Sequence, residues 1–290
     1  MKARILIGLT ALLTTSAFAQ QDFSSVQIQT VPVAGNLSML VGQGGNIGLT
    51  VGADGALIVD TQFAPLSEKI QAAVTAAGGT NVRYVLNTHW HGDHTGGNAN
   101  FANQGATVVA HENVKVRLQA GQGDTPPAPA AALPVVTYPQ RITLHWNGVT
   151  MNLIHVDPAH TDGDTIVHFT ELNAFHMGDT FFNSVYPFVD VSSNGSLDGI
   201  IAAGEMVLAR SNGATRIIPG HGPLASPDDL RKWLGILREI RGRLQSMIDR
   251  GMSEEEVVAA NPTAEWDAAM GGGFMNPENF TRLSYQSLSR

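Results

Sequence analysis

The chain has 290 residues, a formal charge of −8, an ordinary share of hydrophobic residues and no cysteine. Those values describe a globular protein with a sizeable core, and the acidic balance argues against nucleic acid or an anionic membrane as the main partner. The lack of thiols excludes disulfides, cysteine-containing zinc sites and thiol nucleophiles, which leaves histidine and carboxylates as the metal-ligand inventory.

At the N-terminus Lys2 and Arg4 precede the apolar run Ile5 to Leu13, and Ala17-Phe18-Ala19 is an A-x-A cleavage pattern. Residues 1–19 are therefore expected to be a signal peptide cleaved after Ala19, which implies a periplasmic or secreted protein. The run is too short to span a bilayer comfortably, so no stable membrane anchor is expected after cleavage. Loss of Lys2 and Arg4 takes the formal charge from −8 to −10. Residues 20–290 are expected to form a single domain with a C-terminal helical extension.

Short strand candidates follow. Residues Val26 to Val33 alternate apolar and polar, and Leu37 to Val41 and Ile47 to Val51 come next, separated by Gly42 to Gly45 and by a tight turn at Asp54-Gly55. Ala56 to Asp60 is an apolar run ending in an acid. Leu66, Ile70, Ala73, Val74 and Ala77 recur at helical spacing and stop at Gly78-Gly79. Val82 to Leu86 is again strand-like, and this strand, helix, strand order predicts a sheet with helices packed on it.

That strand runs into Thr88 to Gly97, THWHGDHTGG, which places His89, His91, Asp93 and His94 within six residues. In extended backbone, residues two apart point to the same side, so His89 and His91 can share one cation while the following turn sends Asp93 and His94 towards a second. Imidazole nitrogen and carboxylate oxygen suit zinc, and three protein ligands with an open water position are the catalytic form of such a site.

Further along, Thr107 to Ala110 predicts a strand and Asn113 to Gln119 a short helix, while Gly121 to Pro134, rich in Pro, Ala and Gly, predicts a surface loop. Strands are expected at Ile142 to Trp146, Met151 to Val156, Thr165 to Phe169, Ala174 to Met177 and Arg216 to Pro219, with a helix from Ser196 to Arg210. Ser226 caps a long helix with Pro227 at its first position and Gly251 past its end. Its apolar stripe, from Leu230 and Trp233 to Met247 and Ile248, is core packing. Ser253 starts a further short helix, and the tail beyond Asn261 carries little signal.

Two adjacent cations need more ligands than residues 89–94 supply, and three candidates stand at strand ends. His160 lies in a polar turn after Met151 to Val156, as the third ligand beside His89 and His91. Asp179 follows Ala174 to Met177 behind a glycine, where a carboxylate can bridge two metals. His221, on a Gly/Pro turn, would join Asp93 and His94. Taken singly, each has a plainer reading: His160 a surface histidine, Asp179 a helix cap, His221 a loop residue.

Over nearly all of the chain after residue 19, the ordered set Asp60, His89-x-His91-x-Asp93-His94, His160, Asp179 and His221 resembles the metallo-β-lactamase superfamily. The resemblance implies an α/β fold, an αββα sandwich of two mixed sheets flanked by helices, with a dinuclear metal site at one edge. It also implies two zinc ions, iron or manganese remaining open, and makes Asp60 a residue that orients the His-rich turn through hydrogen bonds. His111, His145, His155, His168 and His176 fall outside the motif and are read as structural or surface residues.

The chemistry expected is hydrolysis of an ester, lactone, thioester or β-lactam carbonyl in a small-molecule substrate by a metal-bridging hydroxide, with Asp93 orienting the nucleophile or its proton. Among zinc β-lactamases the cysteine-containing subclasses are excluded by composition, and His94 is shared with the subclass that has histidine there. Asp179 instead resembles the glyoxalase-II-like and lactonase-like branches, and residues 180–209 hold no Lys or Arg to anchor a β-lactam carboxylate. A β-lactamase proper, an iron-dependent redox member of the superfamily and a non-catalytic periplasmic metal-binding protein remain alternatives. Phe181, Phe182, Tyr186 and Phe188 either wall an apolar substrate pocket or pack the loop onto the core.

Overall fold

Alternation along the strands builds the sandwich. The computed structural model describes residues 22–123 and 125–290, so the expected signal peptide lies outside the described residues. One sheet runs in chain order through β1 (Gln29–Ala34), β2 (Leu37–Val41), β3 (Ile47–Gly52), β4 (Gly55–Val59), β5 (Val82–Leu86), β6 (Thr107–His111) and β7 (Val136–Tyr138). Its first four strands pair antiparallel and its last four parallel. The second sheet has the order β12 (Arg216–Ile218), β11 (Ala174–His176), β10 (Thr165–Phe169), β9 (Val149–His155), β8 (Arg141–Trp146), with only β11 and β12 parallel.

In β4 successive residues face opposite ways, as pleated backbone requires. Leu57 and Val59 enter the core between the sheets, where they join Met151, Leu153, Val167 and Phe169 of the second sheet. Ala56 and Ile58 face outwards onto α1 (Ser67–Ala76) and α3 (Asn98–Asn103), through Ile70, Val74 and Phe101. A strand buried on both faces reads as the unbroken apolar run seen in the sequence. On the far side of the second sheet, Ile166, Phe175 and Ile217 pack under α5 (Leu197–Leu208) and α6 (Pro227–Asp249). The layers are therefore helix, sheet, sheet, helix, the αββα sandwich.

The long helix α6 begins as its sequence predicts. Ser226 Oγ accepts from Asp229 N–H at 3.3 Å while the Asp229 carboxylate accepts from Ser226 N–H at 2.9 Å, a reciprocal cap. Leu230, Trp233, Leu234, Leu237, Ile240 and Leu244 are buried along one stripe; Met247 and Ile248 are only half-buried.

The polar helices α2 (Gly92–Thr95) and α3, the short strand β7 and the C-terminal α8 (Ala264–Met270) carry no clear apolar period and were not expected; α9 (Pro277–Leu288), which packs Phe280, Leu283 and Leu288 onto the core, was not expected either. The expected helix after Ser253 is α7 (Glu254–Ala259), and α4 (Glu112–Ala120) is the helix predicted before the Pro/Ala loop. That loop folds back onto the molecule: Asn98 Nδ2 donates to Ala132 O at 3.1 Å, and Ala128 and Leu133 cover Trp90, Val114 and Leu118. No helix of the described residues is long and apolar enough to cross a membrane.

One residue ties the two sheets at the edge where the motif residues gather. Asn46, just before β3, donates its backbone N–H to Gly220 O at 2.7 Å and its side-chain amide to Pro219 O at 3.0 Å and Gly222 O at 2.9 Å. Asn46 and Pro219 are buried, so removing the amide strands the Pro219 carbonyl away from water and frees the more exposed Gly222 carbonyl. Asn46→Ala is expected to cost about 1–3 kcal/mol in urea-induced unfolding, and Asn46→Asp, which keeps the shape but cannot donate, a similar amount. A loss within a few tenths of a kcal/mol for both would show that this clamp does not hold the sheets.

Candidate metal centre

Parallel neighbours end at the same edge of a sheet, and here the parallel pairs β4/β5 and β11/β12 end together. Asp60 follows β4, His89 to His94 follow β5, Asp179 follows β11 and His221 follows β12, while His160 sits in the turn between β9 and β10. The ligand atoms of His89, His91, His160 and Asp179 lie within 4.8 Å of one another, and so do those of Asp93, His94 and His221. All seven sequence-predicted ligand candidates are thus brought into two adjoining clusters.

Hydrogen bonds on the outer ring nitrogens fix which nitrogen faces inwards. Asp60 Oδ2 accepts from Thr88 Oγ1 at 2.7 Å and from His94 Nδ1 at 2.8 Å, and Asp60 Oδ1 accepts from Thr88 N–H at 2.8 Å. Because Thr88 spends its one proton on the carboxylate, its Oγ1 can only accept from His89 Nδ1, 3.0 Å away. His160 Nδ1 donates to Phe188 O at 2.7 Å, and His91 Nε2 donates to Asp190 Oδ2 at 2.9 Å. The nitrogens left for the interior are His89 Nε2, His91 Nδ1, His160 Nε2 and His94 Nε2.

In the first cluster the inward nitrogens converge on one another, and in the second they converge on carboxylate oxygens. His91 Nδ1 stands 3.2 Å from His89 Nε2 and 2.8 Å from His160 Nε2, and His94 Nε2 stands 3.4 Å from His221 Nε2. Asp179 lies between the clusters, with Oδ1 3.1 Å from His94 Nε2 and Oδ2 3.4 Å from His221 Nε2 and 3.5 Å from His160 Nε2. Its Oδ1 is buried without a hydrogen-bond partner. Converging lone pairs and an unsatisfied buried carboxylate oxygen are what a cation would satisfy, so the residues present fit a dinuclear metal site of His and Asp ligands.

Charge divides the two halves. Burial pushes the His89 ring well below the ordinary histidine range and His160 down to about 4, so both are neutral donors at neutral pH. Burial also disfavours charge on His94 and His221, but Asp179 and Asp93 beside them prevail: His94 is held well above its ordinary value and His221 is carried up to about 9. Burial tends to raise Asp179, but the surrounding imidazoles hold it well below the usual carboxylate range.

Close packing requires glycine next to the ligands. A Cβ on Gly45 would fall on the His94 ring, and one on Gly220 would fall on Asp179 Oδ1. The histidines read as structural stay outside: His176 donates to Asn46 O at 3.0 Å and accepts from Gly178 N–H, His111 stacks on His155 at 3.6 Å, His168 stacks on Phe175, and His145 is exposed beside Thr150.

A cavity of about 600 Å³ opens above the clusters, with His91, Asp93, Asp179 and His221 in its floor. Phe182, Tyr186 and Phe188 line it, as the sequence allowed, but Phe181 does not. Its backbone is extended (φ −144°, ψ 121°), so it points opposite to Phe182 and packs 5.1 Å from Trp233 in the core. Sequence reasoning missed Asp190, which orients His91 and is itself held by Ser192 and Ser193 N–H; its only local signal is an Asp-x-Ser-Ser turn.

Metal ligands bind deprotonated, so a cation entering the Asp93, His94 and His221 cluster must displace protons. With His221 protonated up to about 9 when metal-free, zinc affinity of this half is expected to rise with pH through the neutral range, by up to about tenfold per unit for each proton released. Calorimetric zinc titrations in buffers of different ionisation enthalpy read that release directly, and a pH-independent affinity with no proton release would refute it.

The Metallo-beta-lactamase superfamily model matches residues 40–246. A hydroxyacylglutathione hydrolase from Polaromonas sp. is 30% identical over 172 residues, 57% of each chain. A 2,4-dinitroanisole O-demethylase subunit alpha from Nocardioides sp. is 29% identical over 133 residues, 45% of this chain and 39% of that one. The chain thus spans about half the length of the curated relatives it matches. Among solved structures, a metallo-beta-lactamase from Pontibacter korlensis superposes with a TM-score of 0.62 at 18% identity, covering 73% of this chain and 99% of that one. A stereoselective inverting sec-alkylsulfatase from Pseudomonas sp. gives a TM-score of 0.70 at 14% identity, covering 89% and 50%; at such identities these show the fold alone. With the αββα sandwich and an HxHxD-type cluster of metal ligands in place, the chain belongs to the metallo-β-lactamase superfamily.

Proposed function

We propose that this protein is an exported zinc-dependent hydrolase that cleaves a carbonyl bond of an ester, lactone, thioester or β-lactam in a small molecule. The observation that carries the reading is the pair of adjoining clusters sharing Asp179 at the floor of an open cavity. Two zinc ions held there would lower the pKa of water towards neutrality and polarise the carbonyl. The relative named as a hydroxyacylglutathione hydrolase supports hydrolysis.

The chain's own residues then have separate tasks. His89, His91 and His160 supply ring nitrogens to one position, Asp93, His94 and His221 the ligands of the other, and Asp179 spans both. Asp93 is the most exposed of the carboxylates in the clusters and lies 3.3 Å from His221 Nε2. Burial raises its pKa, but His94 and His221 together lower it below the ordinary value, so it is ionised at neutral pH. In that state it can accept a proton at Oδ2 or orient the attacking water.

Asp93→Ala and His221→Ala are each expected to lose at least about 100-fold in kcat/KM on the best ester, thioester, lactone or β-lactam of a chromogenic panel, and to lose bound metal. Chelation should abolish turnover and zinc restore it. Full activity with both metals retained in both variants would overturn the assignment; stable zinc binding with no turnover across the panel would favour mere metal binding.

Export rests on the Lys2 and Arg4, apolar run and Ala17-Phe18-Ala19 pattern. Expressed with its full N-terminus in a bacterial host, the protein should be recovered outside the cytoplasm with Gln20 as its first residue. Recovery of an uncleaved chain in the cytoplasm would sink this part of the reading.

A further inference from the structure

The wall of the cavity is built from a different chemistry than its floor. Phe182 stacks on the His221 ring (centroids 5.2 Å apart, 11° between planes), and Phe188 stacks on His91 (5.8 Å, 20°). Apolar surface therefore begins at the ligand rings themselves. Phe274 continues it outwards, meeting Phe188 edge-on at 6.0 Å. No Lys or Arg lines the cavity among the described residues.

Phe274 has no structural reason to stand where it does. It is 85% exposed, whereas Met275 beside it is 5% exposed and anchors the segment in the core. It is carried on Gly271-Gly272-Gly273, and Gly273 lies so close over Val185 that a Cβ there would stand 2.9 Å from the valine Cβ. The segment is thus seated on the cavity rim, with its one large apolar side chain turned to the mouth. Exposed aromatic surface continuous with a concave apolar wall marks a ligand site.

We infer that the cavity takes an uncharged, apolar flank of the substrate and that Phe274 is a specificity-determining wall for it. For the bond that is cut this rests on the hydrolase reading above; for what the cavity binds it does not. An anionic flank lying along the wall, away from the floor, would lose its hydration against phenylalanine rings with no Lys or Arg there to replace it. An alkyl or aromatic flank gains from burial, about two- to fourfold in affinity per methylene covered.

Two measurements on the full exported chain test this. With zinc-loaded protein, kcat/KM for 4-nitrophenyl esters should rise at least tenfold from acetate to octanoate, and the hydrogen succinate ester should fall at least tenfold below the butanoate. Phe274→Ala should lower the octanoate value at least tenfold more than the acetate value, mainly through KM, with Phe274→Leu recovering most of it. With chelator-treated protein, fluorescence titration of the neutral dye Nile red should show affinity at least fivefold weaker in Phe274→Ala. A flat chain-length profile, a succinate ester as good as the butanoate, or an unchanged dye affinity would each overturn the inference. If no ester turns over while the Phe274-dependent dye binding holds, the hydrolase reading fails and the apolar pocket stands.

Discussion

The carboxylate of Asp60 is the constraint on which the rest of the site depends. It is fully buried, and its backbone is held at a φ of 68°, which L-residues seldom adopt. Both features are costly: an unpaired buried carboxylate costs several kcal/mol, and such a backbone about 1–3 kcal/mol. They are offset by three hydrogen bonds into one carboxylate, from Thr88 N–H, Thr88 Oγ1 and His94 Nδ1. The chain also closes on itself there, with Asp60 N–H donating to Leu86 O and Thr61 N–H to His94 O. One acid thereby aims the inner nitrogen of His94 directly and that of His89 through Thr88, so it prepares a ligand for each half of the centre.

Each cluster draws on both sheets. His89, His91, Asp93 and His94 come from the turn after β5, whereas His160, Asp179 and His221 come from the second sheet. A cation in either position is therefore a cross-link between layers that otherwise meet through apolar side chains and hydrogen bonds such as the Asn46 clamp, Thr165 N–H to Thr88 O and Tyr138 to Thr165. Metal binding and sandwich stability are coupled through that geometry, since a ligand that binds only the folded state stabilises it in proportion to the logarithm of one plus its concentration over its dissociation constant.

How much of this was legible depends on range. The motif from His89 to His94 could be read because its ligands are neighbours in sequence, and His160, Asp179 and His221 because each follows an apolar strand and stands on a polar or glycine turn. The helix α6 announced itself through Ser226, Pro227 and its stripe. Asp190 was invisible, since an aspartate before two serines is an ordinary turn and nothing local says that His91 will arrive 99 positions away. Of the pair Phe181 and Phe182, the sequence showed that an apolar wall was available but not which ring faced it, because that depends on the register of the backbone after Asp179. Phe274 reaches the site through the return of α8 and the glycine segment, whose composition carries no period.

Counting charge shows why the arrangement suits two divalent cations and not one. Asp93 and Asp179 lie among the ligands, while Asp60 and Asp190 touch ligand rings from outside. Four carboxylates concentrated in a poorly hydrated region repel one another strongly, and a compensating charge is required. In the metal-free protein part of it is supplied by protons on His94 and His221, which the neighbouring carboxylates stabilise. Two divalent ions would replace those protons and balance all four carboxylates, with the five imidazoles neutral. The apolar rings stacked on His91 and His221 cover one face of each ligand ring and so limit the water that can screen that balance there. Phe182 and Phe188 therefore both wall the cavity and strengthen the electrostatics of the floor beneath it.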